Sequence, residues 1–98
     1  MLIRNRDLGR ALAQSLGSSA CVLMRGHGST VVGNSVEQAV FRAIYAETNA
    51  KLQAQAQAMG EVMFLTPEEA DLAAAANDGQ IPRSWDLWRR RIGPLESA

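Results

Sequence analysis

The chain has 98 residues and a mass of 10.6 kDa, which is enough for one small domain with a single core. Hydrophobic residues make up 47% and charged residues 20% of the sequence, so we expect the chain to fold, or to belong to something that folds. Ten Lys and Arg balance ten Asp and Glu, which argues against nucleic acid or an anionic membrane as a partner.

Cysteine content and hydropathy favour a cytoplasmic protein. The single Cys21 cannot form an internal disulfide, and a chain without disulfides is typical of a reducing compartment. No uninterrupted apolar run approaches the ~20 residues of a membrane span. Polar residues also interrupt the N-terminal segment, so we expect no signal peptide.

The first predicted elements are a short helix and two strands. The helix begins at Asn5 or Asp7, ends at Gly17 and has apolar residues at helical spacing: Leu8, Ala11, Leu12 and Leu16. Residues 20–25 form an apolar run too short for a helix, so they predict a buried strand. After Gly26-His27-Gly28, the β-branched segment 30–32 predicts its partner strand.

Ser35 begins the clearest predicted element, a helix that continues to Gly60 and would be ~36 Å long. Gln38, three residues after Ser35, completes a capping box. Residues 62–65 predict a short strand or an apolar connection. Thr66 then caps a helix that ends near residues 77–79.

The last predicted helix begins at Ser84, carries Trp85, Trp88 and Ile92 on one face, and ends at Gly93. The full order is helix, strand, strand, long helix, short strand and two helices. Because so few strands make a poor sheet and the strand near residue 20 reads as buried on both faces, it needs neighbours. We therefore expect residues 1–98 to be one partial domain, with residues 80–98 as a tail that contains the Trp helix.

His27 is the one histidine and the candidate metal ligand. Its flanking glycines allow positive φ and close approach of a ligand, and imidazole binds metals or moves protons near neutral pH. A zinc site needs three or four ligands, so one histidine requires residues from another segment or chain. Glu47 and Tyr45 would join such a site if the long helix passed near His27. The Arg89-Arg90-Arg91 run is interpreted as complementing a helix dipole, and the tryptophans as packing or interface anchors.

Two stretches of the sequence resemble the C-terminal half of the class II aldolase/adducin family. They are residues 22–33, VLMRGHGSTVVG, and residues 36–50, VEQAVFRAIYAETNA. Residues 8–13 and 65–70 are also similar to the family, so the resemblance runs from about residue 7 to residue 73. The family's fold is an α/β/α sandwich, so the resemblance implies an α/β chain that represents part of a three-layer sandwich.

The resemblance implies a lyase that uses a divalent metal held by three histidines, of which His27 matches the last. Zinc is the expected ion, with manganese or magnesium as alternatives. Reactions in the family proceed by aldol cleavage or decarboxylation through a metal-stabilised enediolate. The other two histidines, a His-x-His pair, and the catalytic acid are absent from these 98 residues. We therefore assign no catalytic residue to this chain and expect no turnover without the missing half.

The family resemblance also implies a small-molecule substrate and a homo-oligomer, possibly a tetramer. Residues 81–89 resemble the tails of members that act on hydroxy acids or aromatic carboxylates, whereas other members act on sugar phosphates. The alternative hypothesis is non-catalytic: an adducin-like binding or assembly module, or a truncated relic. Metal binding separates the two hypotheses.

Overall fold

The computed structural model describes residues 3–26 and 28–94. In chain order, the elements are α1 (Arg6–Leu16), β1 (Cys21–Met24), β2 (Gly28–Val31), α2 (Val36–Met59), α3 (Pro67–Asp78) and α4 (Ile81–Ile92). The described part combines four helices with one two-stranded sheet, which confirms the α/β class. None of the described helices combines the length and the apolar character that crossing a bilayer requires.

Helix α1 begins and ends at two of the residues that the sequence indicated. The side-chain oxygen of Asn5 accepts the N–H of Leu8 at 2.9 Å, which makes Asn5, not Asp7, the N-cap. At the other end Gly17 has φ +54° and donates its N–H to the carbonyl of Ala13. Gly17 can hold this left-handed backbone conformation because it lacks a Cβ.

Strands β1 and β2 form an antiparallel hairpin in which Cys21 pairs with Val31 and Met24 with Gly28. The second strand therefore begins two residues earlier than residues 30–32 predict. Leu23 of the first strand is 81% exposed, so one face of this strand lacks the cover that neighbouring strands were expected to supply. Helix α1 lies beside β1 and α2 beside β2, but the described residues supply no third strand.

Helix α2 begins with the predicted cap. The Ser35 hydroxyl accepts the N–H of Gln38 at 3.1 Å. Gln38 Oε1 accepts the N–H of Asn34 at 2.7 Å. In a standard capping box this side chain would accept the N–H of the cap residue itself, which is one residue later. The helix ends at Gly60, where φ is +150°.

The strand predicted at residues 62–65 is absent, whereas the capping box predicted at Thr66 is present. Residues 62–65 form no strand, because a strand needs a hydrogen-bonding partner and the two-stranded hairpin is the one sheet in the described part. At α3, the Thr66 hydroxyl accepts the N–H of Glu69 at 3.2 Å. Glu69 Oε1 in turn accepts the N–H of Thr66 at 3.0 Å, so the predicted capping box is present.

Helix α4 begins earlier than predicted. Ser84 is not the cap, because the helix starts at Ile81 with Pro82 in its first turn. Ser84 donates its N–H to the carbonyl of Gln80 at 3.2 Å and so lies inside the helix. Proline favours this position because its fixed φ suits the first turn and its missing N–H costs no hydrogen bond there. The end at Gly93, φ +77°, is as predicted.

The small core lies where α2 meets α4. Phe41 of α2 and Ile81 of α4 are the buried hydrophobic residues of the described part. The Phe41 ring lies 4.5 Å from the ring of Tyr45 and 6.2 Å from that of Trp88. Tyr45 lies on the same helix as Phe41, so the contact between Phe41 and Trp88 is the one that joins α4 to α2.

The chain is more open than a compact domain of its mass. Its radius of gyration is 16.2 Å, against roughly 13 Å for a compact domain of about 100 residues. Its accessible surface is 8348 Å², against roughly 5,500 Å² for a compact monomer of this mass. Part of the surplus is apolar, since Met59 and Met63 are almost fully exposed.

Candidate functional site

The candidate metal ligand belongs to the connection between β1 and β2. Because Met24 pairs with Gly28, residues 25–27 join the two strands. Gly26 has φ +68°, a backbone conformation that side chains disfavour, so glycine is required there. Arg25 is exposed. His27 itself lies outside the described residues, so its assignment as a ligand stays a prediction.

The glycines of this connection leave space around it. A Cβ built on Gly26 or on Gly28 would meet no atom within 4 Å. Space for a ligand beside the strand ends is what the Gly-His-Gly pattern predicts.

The described side chains do not form a metal site by themselves. No group of three or more His, Cys, Asp or Glu comes together in residues 3–26 and 28–94. Cys21 is paired with Val31, at the end of the hairpin opposite the connection and three residues from Met24, or ~10 Å along the strand. Cys21 is therefore no partner for a metal held at that connection. The donor groups of residues 3–26 and 28–94 do not make up a complete metal centre.

The two candidate residues on α2 have other contacts. Glu47 pairs with Lys51 at 3.0 Å, and both side chains are largely exposed, which is a solvated ion pair of the usual i, i+4 kind. Tyr45 stacks on Phe41. Glu47 is therefore a solvated side chain and Tyr45 a partly packed one.

The arginine run and the tryptophans also match their structural interpretation. Arg89, Arg90 and Arg91 lie in the last turn of α4, where cations complement the helix dipole. Trp85 and Trp88 are half-buried, and Trp88 faces the Phe41 ring. Trp88 therefore helps to anchor α4 on α2.

Two residues that fix the hairpin against α2 were missed in the sequence. The Arg42 guanidinium donates from Nη1 to the carbonyl of Val32 at 2.9 Å, so it ties the end of the hairpin to the helix. Gly33 approaches the same helix closely, because a Cβ added there would lie 2.7 Å from the backbone nitrogen of Ala39. A glycine directly before the Asn34-Ser35 start of the helix was the available signal. Together these contacts set the orientation of β2, and so of the connection that precedes it.

The electrostatics of the described part include one perturbed acid. The N–H of Thr66, and secondarily its hydroxyl, hold the pKa of the Glu69 carboxyl below its usual value. The cause is that these hydrogen bonds favour the charged form. Glu69 lies at the start of α3 and belongs to helix capping, not to the connection at residues 25–27.

A comparison with known protein families gives a match that includes the hairpin connection. The family described as Class II Aldolase and Adducin N-terminal domain matches residues 1–54. That range includes α1, the hairpin with position 27, and most of α2. The chain belongs to this family.

Three relatives are named as decarboxylases. Decarboxylase tropJ of Talaromyces stipitatus is 38% identical over 111 residues, which cover 94% of this chain and 42% of the relative. The 3,4-dihydroxyphthalate decarboxylase of Arthrobacter keyseri is 34% identical, over 100% of this chain and 39% of the relative. The enzyme of the same name from Terrabacter sp. is 37% identical, over 97% and 39%. The chain thus spans about two fifths of the length of these relatives.

Proposed function

We propose that this chain is the C-terminal portion of a metal-dependent decarboxylase of the class II aldolase family and that His27 is one of its metal ligands. The family match over residues 1–54, which contain the hairpin connection, carries the proposal. Three relatives named as decarboxylases support the reaction type. The proposal includes the complete three-layer α/β/α sandwich, of which residues 1–98 are a part and residues 80–98 the tail.

The proposed substrate is an aromatic carboxylate. Two of the relatives are named for 3,4-dihydroxyphthalate, which favours this class over the hydroxy acids and sugar phosphates that the resemblance also allows. Decarboxylation breaks the bond between the ring carbon and the carboxyl carbon, releases CO₂ and leaves an electron pair on the ring carbon that takes up a proton. No described residue is assigned to this proton transfer.

The metal site requires ligands from outside this chain. Since the described residues contain no three-ligand group and a catalytic zinc site takes three protein ligands, His27 would contribute one ligand. We propose zinc as the ion, with manganese or magnesium as alternatives. The chain alone is then inactive, because both the remaining ligands and the acid that the family supplies lie elsewhere.

A chimeric enzyme tests this proposal. In the Arthrobacter keyseri decarboxylase, the stretch that this chain matches is replaced by the chain itself, and metal content and release of CO₂ from 3,4-dihydroxyphthalate are measured. We expect the chimera to hold metal and turn over, and the chain alone to show no turnover with zinc, manganese or magnesium added.

Substitutions in the chimera separate ligand from fold. His27→Ala should remove most of the bound metal and keep the helical signal, because loss of one of three ligands damages coordination while the open connection contributes little packing. Cys21→Ala is the matched control, since Cys21 lies at the opposite end of the hairpin, and it should keep the metal. Equal metal content in the chimera and its His27→Ala variant would overturn the ligand assignment. A folded chimera without metal would favour the non-catalytic module.

A further inference from the structure

A polar cleft lies between the end of α1, the end of the hairpin and the first turns of α2. It is lined by residues 17–20, by residues 32–34 and by Arg42, and its volume is about 350 Å³. This volume is at the lower end of the range for ligand sites, roughly 300–1,000 Å³. The cleft is therefore large enough for a small molecule.

Arg42 supplies the charge of the cleft. Its side chain is half-buried, and one N–H group on its Nη1 donates to the carbonyl of Val32 at 2.9 Å. A guanidinium carries several further N–H donors, and within the described part of the chain no other hydrogen bond or ion pair uses them. The bond to Val32 therefore holds the guanidinium at the cleft and leaves donors for a ligand.

The turn after α1 and the end of the hairpin add uncharged donors. Ser18 and Ser19 are exposed, and their hydroxyls bind no other group within residues 3–26 and 28–94. In the same part of the chain, the backbone N–H groups of Ser18, Ala20 and Gly33 have no backbone acceptor. The cleft is thus lined by hydrogen-bond donors from two loops in addition to the guanidinium.

The described lining of the cleft contains no acidic side chain. Two carbonyl groups in the last turn of α1 are already engaged, since they accept N–H groups from the turn that follows. Asp78 borders a second cavity that Arg42 also lines. This carboxylate accepts a 3.3 Å hydrogen bond from Gln38, and the ion pairs of the described part do not join it to Arg42. The charge of Arg42 is therefore available to an anion.

We propose that this cleft binds a phosphate group, held by the Arg42 guanidinium, the hydroxyls of Ser18 and Ser19, and the backbone N–H groups beside them. The donors come from three segments of the chain, so they can reach oxygens that point in different directions. A tetrahedral phosphate has such oxygens, whereas both oxygens of a carboxylate lie in one plane. Arginine in addition binds phosphate through two parallel hydrogen bonds.

The cleft lies at the end of the hairpin opposite residues 25–27. Val32 donates its N–H to the carbonyl of Ala20 at 2.9 Å at the cleft, and Met24, four residues after Ala20, pairs with Gly28 at the other end. The two ends are ~13 Å apart along the strand. The inference uses no residue of the proposed metal site, so the two proposals can fail independently.

Titration of the chain with inorganic phosphate tests the site, at constant ionic strength with chloride as the balancing anion. The backbone amide signals of Ser18, Ala20 and Gly33 in nuclear magnetic resonance spectra should move along a saturating curve. We expect a dissociation constant on the order of 1 mM or lower. A change that does not saturate would overturn the proposal. So would a change that is largest at the Arg89-Arg90-Arg91 run, because the anion would then bind at the end of α4.

Glycerol phosphate and acetate define the ligand. Glycerol phosphate carries the same group on a carbon chain and should bind as tightly as inorganic phosphate, because residues 17–19 leave the cleft open to solvent. Binding of inorganic phosphate without glycerol phosphate would support the site and restrict it to the free ion. Acetate should bind at least about tenfold more weakly, since a phosphate group has up to about twice its charge at pH 7. Equal binding of acetate would overturn the choice of phosphate.

Ser18→Asp is the decisive variant. It places a carboxylate in the cleft at an exposed position, so the chain should fold and its affinity for phosphate should fall at least about tenfold. Ser29→Asp changes the net charge equally near the opposite end of the hairpin and should bind phosphate like the unmodified chain. Arg42→Gln should abolish saturable binding, whereas Arg10→Gln, at an exposed position of α1, should not. Unchanged affinity in Ser18→Asp, with an unchanged circular dichroism spectrum, would overturn the proposal.

Discussion

The close approach of Gly33 to α2 predicts that Gly33→Ala destabilises the chain. A Cβ at this position would lie 2.7 Å from the nitrogen of Ala39, 3.1 Å from its Cα and 3.2 Å from the carbonyl carbon of Gln38. All three are backbone atoms of a helix, so no side chain can rotate to make room. The start of α2 would have to move by about 0.7 Å to reach ordinary contact distance.

The expected cost is about 1–3 kcal/mol, the usual range for overpacking a close contact. The displacement would also disturb the 2.7 Å bond from Asn34 to Gln38 and the 2.9 Å bond from Arg42 to Val32, which hold the same junction. Urea unfolding, followed by far-ultraviolet circular dichroism at one fixed protein concentration, measures the change. At a slope of about 1–2 kcal/mol per molar urea, the midpoint should fall by about 1 M.

Gly9→Ala is the matched control, with the opposite expected sign. Gly9 lies inside α1, and its added Cβ would meet the Cγ2 of Ile3 at 3.8 Å, an ordinary contact. Alanine should therefore stabilise α1 by about 0.5–1 kcal/mol through its higher helix propensity. A Gly33→Ala chain that unfolds at the midpoint of the unmodified chain would refute the argument, as would a shift in the same direction for both alanine variants.

Three further predictions concern local hydrogen bonds. The carboxylate of Glu69, with its lowered pKa, should stabilise α3 above about pH 4.5, and this contribution should disappear as the pH falls through the lowered value. A circular dichroism titration should show this loss, and Glu69→Gln should abolish it. Ser35→Ala should cost about 1 kcal/mol in urea unfolding, since it leaves the first N–H groups of α2 without their cap. Arg42→Met should cost about 1 kcal/mol and speed amide hydrogen exchange in β2, because it removes the donor to Val32.

The starts of α1, α2 and α3 could be predicted because each depends on a capping hydrogen bond between residues three positions apart. The caps at Asn5, Ser35 and Thr66 each bind an N–H three residues on, so the sequence contains both partners of each bond. The start of α4 depended on a distant contact instead. The sequence allows a helix that starts next to Pro82 and a shorter one capped by Ser84. The longer helix forms, and its first residue, Ile81, is buried.

Long-range geometry explains what the sequence did not show. Residues 62–65 have the composition of a strand, yet a strand needs a neighbouring edge, and the sequence does not say whether one lies there. The contact from Arg42 to Val32 joins residues ten positions apart on different elements. Its existence depends on how α2 crosses the hairpin, which no local pattern encodes. His27 was identified through resemblance, since a lone histidine in a turn has no diagnostic spacing.

The aromatic residues lie in one part of the chain, so intrinsic fluorescence reports on that part and not on the rest. The two phenylalanines, the tyrosine and the two tryptophans all follow residue 40. Four of the five lie on α2 and α4, where Phe41 and Trp88 are neighbours. Intrinsic fluorescence therefore reports the docking of α4 on α2. Helix α1 and the hairpin contain no chromophore, so a ligand or partner that reorders residues 3–26 could leave the emission unchanged. A tryptophan placed at the exposed Leu23 would give that part of the chain an optical signal of its own.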